Sequence, residues 1–381
     1  MFQQPSLNIG ISEEYQIIDP ETRELRSIIS RVMDNERLIL REQDPQGEVQ
    51  VELPAAFEMG TPVCANIKEA RQALIQQRKG VMKLAHDRGY AVALAGTHPV
   101  TSWRKPGIPR PGHIEGLVSG RDMLAQRLLI FGTHVHIGIE DPELRIDVMN
   151  VIRYMVPHML TLSTSSPFWS GRNTGLKSYR NVLLENLPRS GIPHHFASWS
   201  EYRQYVDMLL ATHCIDHERQ IYWDVRPHWR LSTLQFRVFD ACTTINEALA
   251  IAALVQATVA WLVELRRHNM MFRDYTRSLV AENKWRAVRY GLEGKLVDFG
   301  KEQQFSAKQL VRELLRLVDP MVDELGSREE LEFAYSIIEQ GSSADRQLKV
   351  FKETNDLKAV VDNLIAETME GVPTVDLGHH E

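Results

Sequence analysis

Apolar and polar residues alternate along residues 9–19, Ile-Gly-Ile-Ser-Glu-Glu-Tyr-Gln-Ile-Ile-Asp. Such alternation predicts a β-strand whose successive side chains point to opposite faces of a sheet. Glu13 and Glu14 then point in opposite directions, and Ser12 shares the face of Glu14. Because a hard metal cation takes oxygen ligands, a carboxylate directed onto a sheet is well placed to bind one. The alternative is an edge strand whose acidic side chains are solvated.

Residues 129–139 show a second alternating pattern, in which His134 and His136 fall on one face. A lone buried histidine is usually a core side chain whose polar atoms are satisfied by its neighbours. Two imidazoles that point the same way and are flanked by glycines instead favour a metal or phosphate site, because imidazole is a common ligand.

Residues 234–240 also alternate, and they place Gln235 and Arg237 on the face opposite Leu234. An arginine on the concave face of a sheet suits a phosphoryl or carboxylate group, since its planar guanidinium binds two oxygens at once. A salt bridge to one of the strand acids would account for the same arginine equally well.

Three further stretches predict strands. Residues 48–59 mix apolar and acidic residues around Pro54, which interrupts regular pairing, and Glu58 is the acid of greatest interest there. Residues 90–96 are almost wholly apolar, as in a strand that is covered on both faces. Residues 222–227 form a short strand that leads into a turn.

Helical periodicity predicts the elements that cover the sheet. They comprise residues 66–89, a stretch from about residue 121, residues 141–162, 194–217, 248–263 and 282–291, and several pieces of 306–369. The stretch 248–263 is the most apolar, but Gln256 and Thr258 interrupt it. It is also shorter than the roughly 18 apolar residues of a membrane span, so we expect a buried helix and no membrane.

Two loops have compositions that are common in functional loops. The Pro- and Gly-rich residues 106–112 predict a surface loop that is able to cover a site. The polar residues 163–180 predict a long loop. Its basic residues Arg172, Lys177 and Arg180 either meet an anionic substrate or are simply solvated.

Composition is ordinary for a globular protein. Of the 381 residues, 43% are hydrophobic and 25% are charged, and the net charge of -6 is not concentrated in runs, so nothing indicates nucleic-acid binding. The cysteines Cys64, Cys214 and Cys242 are widely spaced, which argues against a disulfide framework and fits a reducing cytoplasm. The first residues lack the pattern of a signal peptide, so we expect the mature protein to start near Met1.

Six segments together resemble the motifs of one family. They are Gly-Ile-Ser-Glu-Glu-Tyr (10–15), Glu-Met-Gly-Thr-Pro-Val-Cys (58–64), Gly-Thr-His-Pro (96–99), Gly-Thr-His-Val-His-Ile-Gly (132–138), Trp-Asp-Val-Arg-Pro (223–227) and Arg-Ala-Val-Arg-Tyr-Gly-Leu (286–292). In this order they are similar to the bacterial carboxylate–amine ligase family, also called glutamate–cysteine ligase type 2. We therefore expect one large ligase domain over residues 1–370 and a disordered tail over residues 371–381.

The resemblance implies an α/β protein of the α+β type, in which a curved, mainly antiparallel sheet carries helices on its back, as in glutamine synthetase. It implies that ATP phosphorylates a substrate carboxylate and that an amine then displaces phosphate to form an amide. ATP and Mg²⁺ are the implied cofactors, with metal ions and arginines offsetting the repulsion between the nucleotide and the carboxylate. Small carboxylates and amines such as amino acids are the implied substrates, and the protein is expected to be a homo-oligomer.

The resemblance also implies roles for eight residues of this chain. It implies metal ligands at Glu14, Glu58 and His134. It implies nucleotide contacts at His136, Arg286 and Arg289, and catalytic contacts with the phosphoryl group or the substrate at Arg226 and Arg237.

Three positions depart from the family pattern. Ser12 and Gln235 replace glutamates, and Val51 replaces an acid that is common in the family. By the alternation above, Ser12 shares the face of Glu14 and Gln235 shares the face of Arg237, so both changes fall inside the implied site. Together the three changes remove up to three negative charges, which affects a second metal position most.

These departures leave alternative functions open. The first is an ATP-dependent carboxylate–amine ligase, for which weak glutamate–cysteine ligase activity is one open form. The second is a catalytically silent or repurposed homologue that binds a ligand or partners an active ligase. The third is an amide-handling enzyme that does not use ATP.

Overall fold

The computed structural model describes residues 3–26, 56–104 and 127–373. Its strands are β1 (Ile9–Ile18), β2 (Ala56–Gly60), β3 (Ala91–Ala93), β4 (Thr133–Gly138), β5 (Phe168–Trp169), β6 (Arg172–Asn173), β7 (Ser190–Gly191), β8 (Tyr222–Trp223), β9 (Val225–Pro227), β10 (Thr233–Phe236), β11 (Lys295–Asp298) and β12 (Gln303–Ser306). Its helices are α1 (Ile67–His86), α2 (Pro142–Ile152), α3 (Val156–Ser163), α4 (Tyr179–Leu184), α5 (Trp199–Ala211), α6 (Ile245–Arg267), α7 (Arg277–Tyr290), α8 (Ala307–Val322), α9 (Arg328–Gln340), α10 (Ser343–Thr354) and α11 (Leu357–Met369).

A six-stranded antiparallel sheet lies at the centre of these elements. The strands run in the order β2-β1-β4-β10-β9, and β3 also pairs with β1. The register places Ser12 opposite Gly60 on one side and opposite His134 on the other. His136 lies between Gly10 and Gln235. The first strand therefore brings together segments that are far apart in the chain.

The apolar helix α6 is the main helix behind this sheet. Its N-terminus is fixed by a capping box, in which Thr244 and Glu247 bond each other's backbone N–H groups. α6 packs against α1, α2, α3, α8 and α9 as well as against β1 and β4. By length and composition α6 could cross a membrane, but 83% of its most apolar window is buried inside the protein. The predicted buried helix is confirmed.

A buried ion pair joins the back of β1 to α1. Both side chains of the Arg78–Glu13 pair are 0% exposed, with 2.6 Å from Nη2 to Oε1 and 3.0 Å from Nε to Oε2. Arg78 also donates to the carbonyl oxygens of Cys242 and Thr243, just before α6 begins. The Tyr15 hydroxyl donates to Glu13 at 2.7 Å. The predicted opposite directions of Glu13 and Glu14 are therefore present, and Glu13 serves the core.

The predicted fold class, an α+β protein with a mainly antiparallel sheet and helices on its back, is confirmed. Some boundaries differ. The single helical pattern at residues 141–162 is two helices, because Pro157 occupies the first turn of α3 and cannot continue α2. The predicted loop 163–180 contains the hairpin β5–β6, and the hairpin β11–β12 lies within a segment that sequence periodicity did not mark.

Some predictions fall on residues outside the described ranges. They are the proline- and glycine-rich loop at 106–112, the helix from about residue 121, most of the strand candidate 48–59 with Val51 and Pro54, and residues 374–381 of the predicted tail.

Candidate active site

A row of polar side chains crosses the sheet on the side away from α1 and α6. β1 contributes Ser12 and Glu14, β4 contributes His134 and His136, and β10 contributes Gln235. Their apolar neighbours on the same strands point into the core instead, as the two-residue period of a strand requires. We call this side of the sheet the polar face.

Three polar side chains meet at the β2–β1–β4 end of the polar face. Ser12 Oγ donates to Glu58 Oε1 at 2.7 Å. Glu58 Oε1 also lies 3.2 Å from His134 Nδ1. Ser12 Oγ and His134 Nδ1 are 3.4 Å apart. Ser12 thus contributes a hydroxyl to this cluster and no negative charge.

Glu14 lies next to this cluster, directly opposite Glu58 in the β1–β2 register. Its carboxylate accepts a hydrogen bond from the backbone N–H of Gly132, and its own N–H donates to the Gly132 carbonyl at 3.0 Å. Within the described ranges, no group of three or more His, Cys, Asp or Glu side chains is arranged to hold a metal ion. Glu58 and His134 face each other, whereas Glu14 faces Gly132, so the three implied ligands are neighbours without forming a ready-made cage.

Arg226 lies at the opposite end of the polar face, on β9. Its Nε donates to Gln235 Oε1 at 2.9 Å, and its Nη1 donates to the carbonyl oxygens of Arg219, at 3.0 Å, and Ile221. The neutral side-chain amide of Gln235 is therefore one of the groups that hold the Arg226 guanidinium.

Arg237 follows β10 and adds a second cation to this end. Its backbone N–H donates to the Asp224 carbonyl at 2.7 Å, while its side-chain Nε is buried and has no hydrogen-bond partner in the part of the chain that the structure describes. The predicted alternative for Arg237, a salt bridge to a strand acid, is not found among the described residues. Burial together with the charges of His134, Arg226 and Arg237 lowers the pKa of His136 to about 3, so His136 is neutral at physiological pH.

His228 is a site residue that the sequence patterns did not reveal. Its ring lies edge-on to His136, with 5.2 Å between the ring centres. Burial and the same neighbouring cations hold its pKa well below its usual value. Because it lies in the turn between β9 and β10, no periodicity marked it.

The helix residues Arg286 and Arg289 lie apart from the contacts described so far. Arg286 pairs with Glu282 on its own helix at 2.9 Å. Arg289 stacks over Tyr290 and lines an open cavity of about 240 Å³ that Lys177 also lines. Their implied role in nucleotide binding stays a prediction.

The three basic residues of the 163–180 segment have three different environments. Arg172 is exposed. Lys177 Nζ pairs with Asp345 at 2.5 Å. Arg180 is only 2% exposed and reaches the polar face from α4. Sequence reasoning treated the three alike because loop composition carries no information about burial.

Comparisons with known proteins agree with these features. The model of the glutamate–cysteine ligase family 2 (GCS2) matches residues 8–363. A protein of Roseiflexus castenholzii named "Putative glutamate–cysteine ligase 2" is 52% identical over 366 residues, which cover 96% of this chain and 95% of the relative. A protein of the same name from Solibacter usitatus is 47% identical over 370 residues, covering 97% of this chain and 95% of that protein.

Solved structures show the same fold at low sequence identity. The glutamate–cysteine ligase of Francisella tularensis, solved in complex with AMP, has a TM-score of 0.68 at 10% identity and covers 98% of this chain and 91% of its own. A bifunctional glutathione synthetase of Pasteurella multocida has a TM-score of 0.65 at 14% identity, covering 96% of this chain and 53% of its own. The expected glutamine-synthetase-like architecture is confirmed. The chain therefore belongs to glutamate–cysteine ligase family 2, which places it among the carboxylate–amine ligases.

Proposed function

We propose that this protein is an ATP-dependent ligase that joins a small carboxylate, such as an amino acid, to an amine, with glutamate and cysteine as the first pair to test. The observation that carries the proposal is the division of the polar face into two ends of opposite character. Glu14, Glu58 and His134 supply metal-ligand chemistry at one end. Arg226 and Arg237 supply positive charge at the other.

The carboxylate end suits a magnesium ion that arrives with a nucleotide. Mg²⁺ is usually held by one or two carboxylates, with water and substrate phosphates completing its coordination. Glu14 and Glu58 are direct cross-strand neighbours, which is a suitable spacing for this kind of binding. Bound there, the ion would neutralise phosphate charge. Ser12 reduces the negative charge of this end, so we propose that it holds one ion firmly at most.

The cationic end suits the anionic groups of the reaction. In the first step an oxygen of the substrate carboxylate attacks the γ-phosphorus of ATP, the bond from that phosphorus to the bridging oxygen breaks, and ADP leaves. In the second step the amine nitrogen attacks the acyl carbon, phosphate leaves and the nitrogen loses a proton to solvent. Arg237 and Arg226 stabilise the charge on the transferring group, since donors fixed in advance act where charge develops.

A single experiment separates the candidate functions. ADP release is measured with Mg²⁺-ATP and amino-acid mixtures, and ATP binding is measured by calorimetry with and without Mg²⁺. Turnover that requires both a carboxylate and an amine is the expected result. Release of an amide product without any dependence on ATP would contradict it and would favour an amide-handling enzyme.

The competing candidate is a silent homologue that binds nucleotide without turnover. Two observations favour it: Ser12 and Gln235 stand in the contacts where carboxylates are usual, and the described residues hold no ready three-ligand metal group. Tight Mg²⁺-dependent ATP binding with no ADP release from any mixture would identify this candidate.

We also propose that the protein works as a homo-oligomer in the cytoplasm, because family members commonly associate. Size-exclusion chromatography with light scattering measures the assembly directly, and a single species of the monomer mass of 43.7 kDa would contradict it.

A further inference from the structure

Arg180 occupies the space between the two ends of the polar face. It extends from α4, and its Nη1 and Nη2 donate to the carbonyl oxygens of Val238 and Arg237 at 3.2 and 3.1 Å. These two carbonyls belong to the segment that carries the Arg237 side chain. The guanidinium therefore fixes the main chain from which Arg237 projects.

The charge of Arg180 lies beside Glu14 without a direct ion pair. No carboxylate of the described residues lies within ion-pairing distance of Arg180. Glu14 is nevertheless a neighbour, because its carboxylate accepts the N–H of Gly132, the glycine over which the Arg180 guanidinium lies. Burial removes the guanidinium from water and so lowers the pKa of Arg180. Its Nε is buried and makes no hydrogen bond to the described residues. Buried charges are normally paired, so this arrangement is costly unless the site uses it.

Gly132 allows this arrangement. A β-carbon at position 132 would lie 2.8 Å from the Arg180 Cζ and even closer to its Nη2. The same glycine donates its N–H to Glu14. Glycine at the start of the Gly-Thr-His-Val-His motif is thus explained by the guanidinium that passes over it.

We propose that Arg180 is a positioning residue that links the two ends of the site: it orients Arg237 through its main chain and sets the positive charge beside the metal ligand Glu14. This inference rests on the proposed ligase function. It predicts opposite effects on turnover and on Mg²⁺ affinity, which loss of structure alone does not produce.

Two substitutions separate the effect of the hydrogen bonds that Arg180 makes to the main chain from the effect of its positive charge. Arg180→Lys keeps the charge but loses the planar pair of donors, so kcat should fall by about tenfold or more while the half-maximal Mg²⁺ concentration stays at the parent value. Arg180→Gln also loses the charge that repels the ion, so kcat should fall while the half-maximal Mg²⁺ concentration drops by about threefold or more. Arg316→Gln, an exposed change on α8, serves as the control.

Mg²⁺ affinity is read from the Mg²⁺ dependence of the melting temperature as well as from activity.

The placement of Arg180 is tested by a stability cycle that needs no activity. Gly132→Ala should lower the melting temperature by several degrees in the parent, and by much less in the Arg180→Gln background if that shorter side chain leaves room for the new methyl group. Gly80→Ala is the matched glycine control, because a methyl group at this helix position has no described residue within 4 Å.

Each outcome decides one claim. If both Arg180 variants keep the parent kcat while the parent is active, the positioning role is wrong and the ligase proposal stands. If the parent releases no ADP, the ligase proposal fails, and the Mg²⁺ melting curves and the stability cycle still decide the inference. An additive stability cycle, or a Mg²⁺ dependence that both variants share with the parent, overturns it.

Discussion

The neighbouring residues Glu13 and Glu14 lie on opposite faces of β1, and their surroundings differ in kind. Behind the sheet, Glu13 forms a double hydrogen-bonded ion pair with Arg78, and Tyr15 binds the same carboxylate. On the polar face, Glu14 accepts the Gly132 N–H, and the guanidinium of Arg180 lies against the same glycine without an ion pair to any carboxylate of the described residues. Arg78 thus forms an ion pair with Glu13, whereas Arg180 lies near Glu14 without forming an ion pair with it.

This difference separates charged side chains that stabilise the core from charged side chains that are available to the candidate site. A buried pair with complete hydrogen bonding stabilises one arrangement of the core, whereas charges left partly unmatched remain able to bind a ligand of opposite charge. The buried Nε atoms of Arg180 and Arg237 have no hydrogen-bond partner within residues 3–26, 56–104 and 127–373, while Arg78 donates four hydrogen bonds. We therefore expect mutations behind β1 to change stability and mutations on the polar face to change activity.

The largest effect should come from breaking the pair behind the sheet. Arg78→Met leaves the Glu13 carboxylate buried without its cation, so the free energy of unfolding should fall by about 3–5 kcal/mol. Urea denaturation followed by circular dichroism measures it. Arg266→Met, which breaks the half-exposed pair with Asp147, should cause a much smaller loss. Equal losses in the two variants would mean that burial of the Glu13 pair does not matter.

The second effect is the reverse, a loss of activity at nearly constant stability. Arg237→Gln removes a donor aimed at developing negative charge, so kcat/KM for ADP release should fall by about 10²–10³-fold, while the urea midpoint stays close to that of the parent. Arg316→Gln should leave both unchanged. If Arg237→Gln loses stability and activity together, Arg237 acts, like Arg78, mainly to stabilise the fold.

The comparison also shows how far sequence patterns reach. The period of two along residues 9–19 correctly separated Glu13 from Glu14, because alternation is a local property of a strand. The surroundings of these acids were not predictable, since Arg78 comes from a helix, Gly132 directly precedes a distant strand, and Arg180 comes from a segment that was predicted to be a long loop. Pairing between distant segments depends on the assembled fold. The family resemblance supplied the list of implied site residues, and the structure added Arg180 and His228.

The third prediction concerns His98, a titratable group whose protonation state is fixed by structure. Burial lowers its pKa from 6.5 to about 3, and its Nδ1 accepts the N–H groups of Val100 and Thr101 at 3.2 and 2.9 Å. Below pH 6.5 His98 becomes protonated in the unfolded chain but stays neutral in the folded chain. The free energy of unfolding therefore decreases as the pH falls toward 3. At pH 5 this single group should cost about 2 kcal/mol.

The variant His98→Asn tests this pH dependence, because its amide oxygen can accept the same turn N–H groups without titrating. The difference between the unfolding free energies at pH 7 and pH 5 should be smaller in this variant than in the parent. If the two proteins lose the same unfolding free energy between pH 7 and pH 5, His98 does not contribute to the pH dependence of stability.

The smallest effect should come from restoring carboxylates to the polar face. In Ser12→Glu with Gln235→Glu, the added negative charges lie near Glu14 and Glu58, so stability without metal should fall. Mg²⁺ that binds the folded state should then recover about 1.4 kcal/mol at ten times its dissociation constant. The rise in melting temperature with Mg²⁺ should therefore exceed that of the parent, together with higher ADP release.

Adding Glu14→Gln to this double variant is the control, and it should abolish the extra response to Mg²⁺. If Mg²⁺ stabilises the parent and the double variant equally and activity is unchanged, the departures at Ser12 and Gln235 are not what limits this protein.

The pairing of β1 with β4 has a consequence for synthesis of the chain. Ser12 and His134 are 122 residues apart, so at about 5–20 residues per second the edge of β1 that pairs with β4 stays open for roughly 6–25 s, even though β2 and β3 are made earlier. A strand with an open edge and an apolar face is a template for association with other chains. Until α1 and β4 arrive, both Glu13 and Glu14 face water, and charges on both sides of the strand oppose such association. We therefore expect the two acids to oppose association of the nascent chain before either takes up its place in the folded protein.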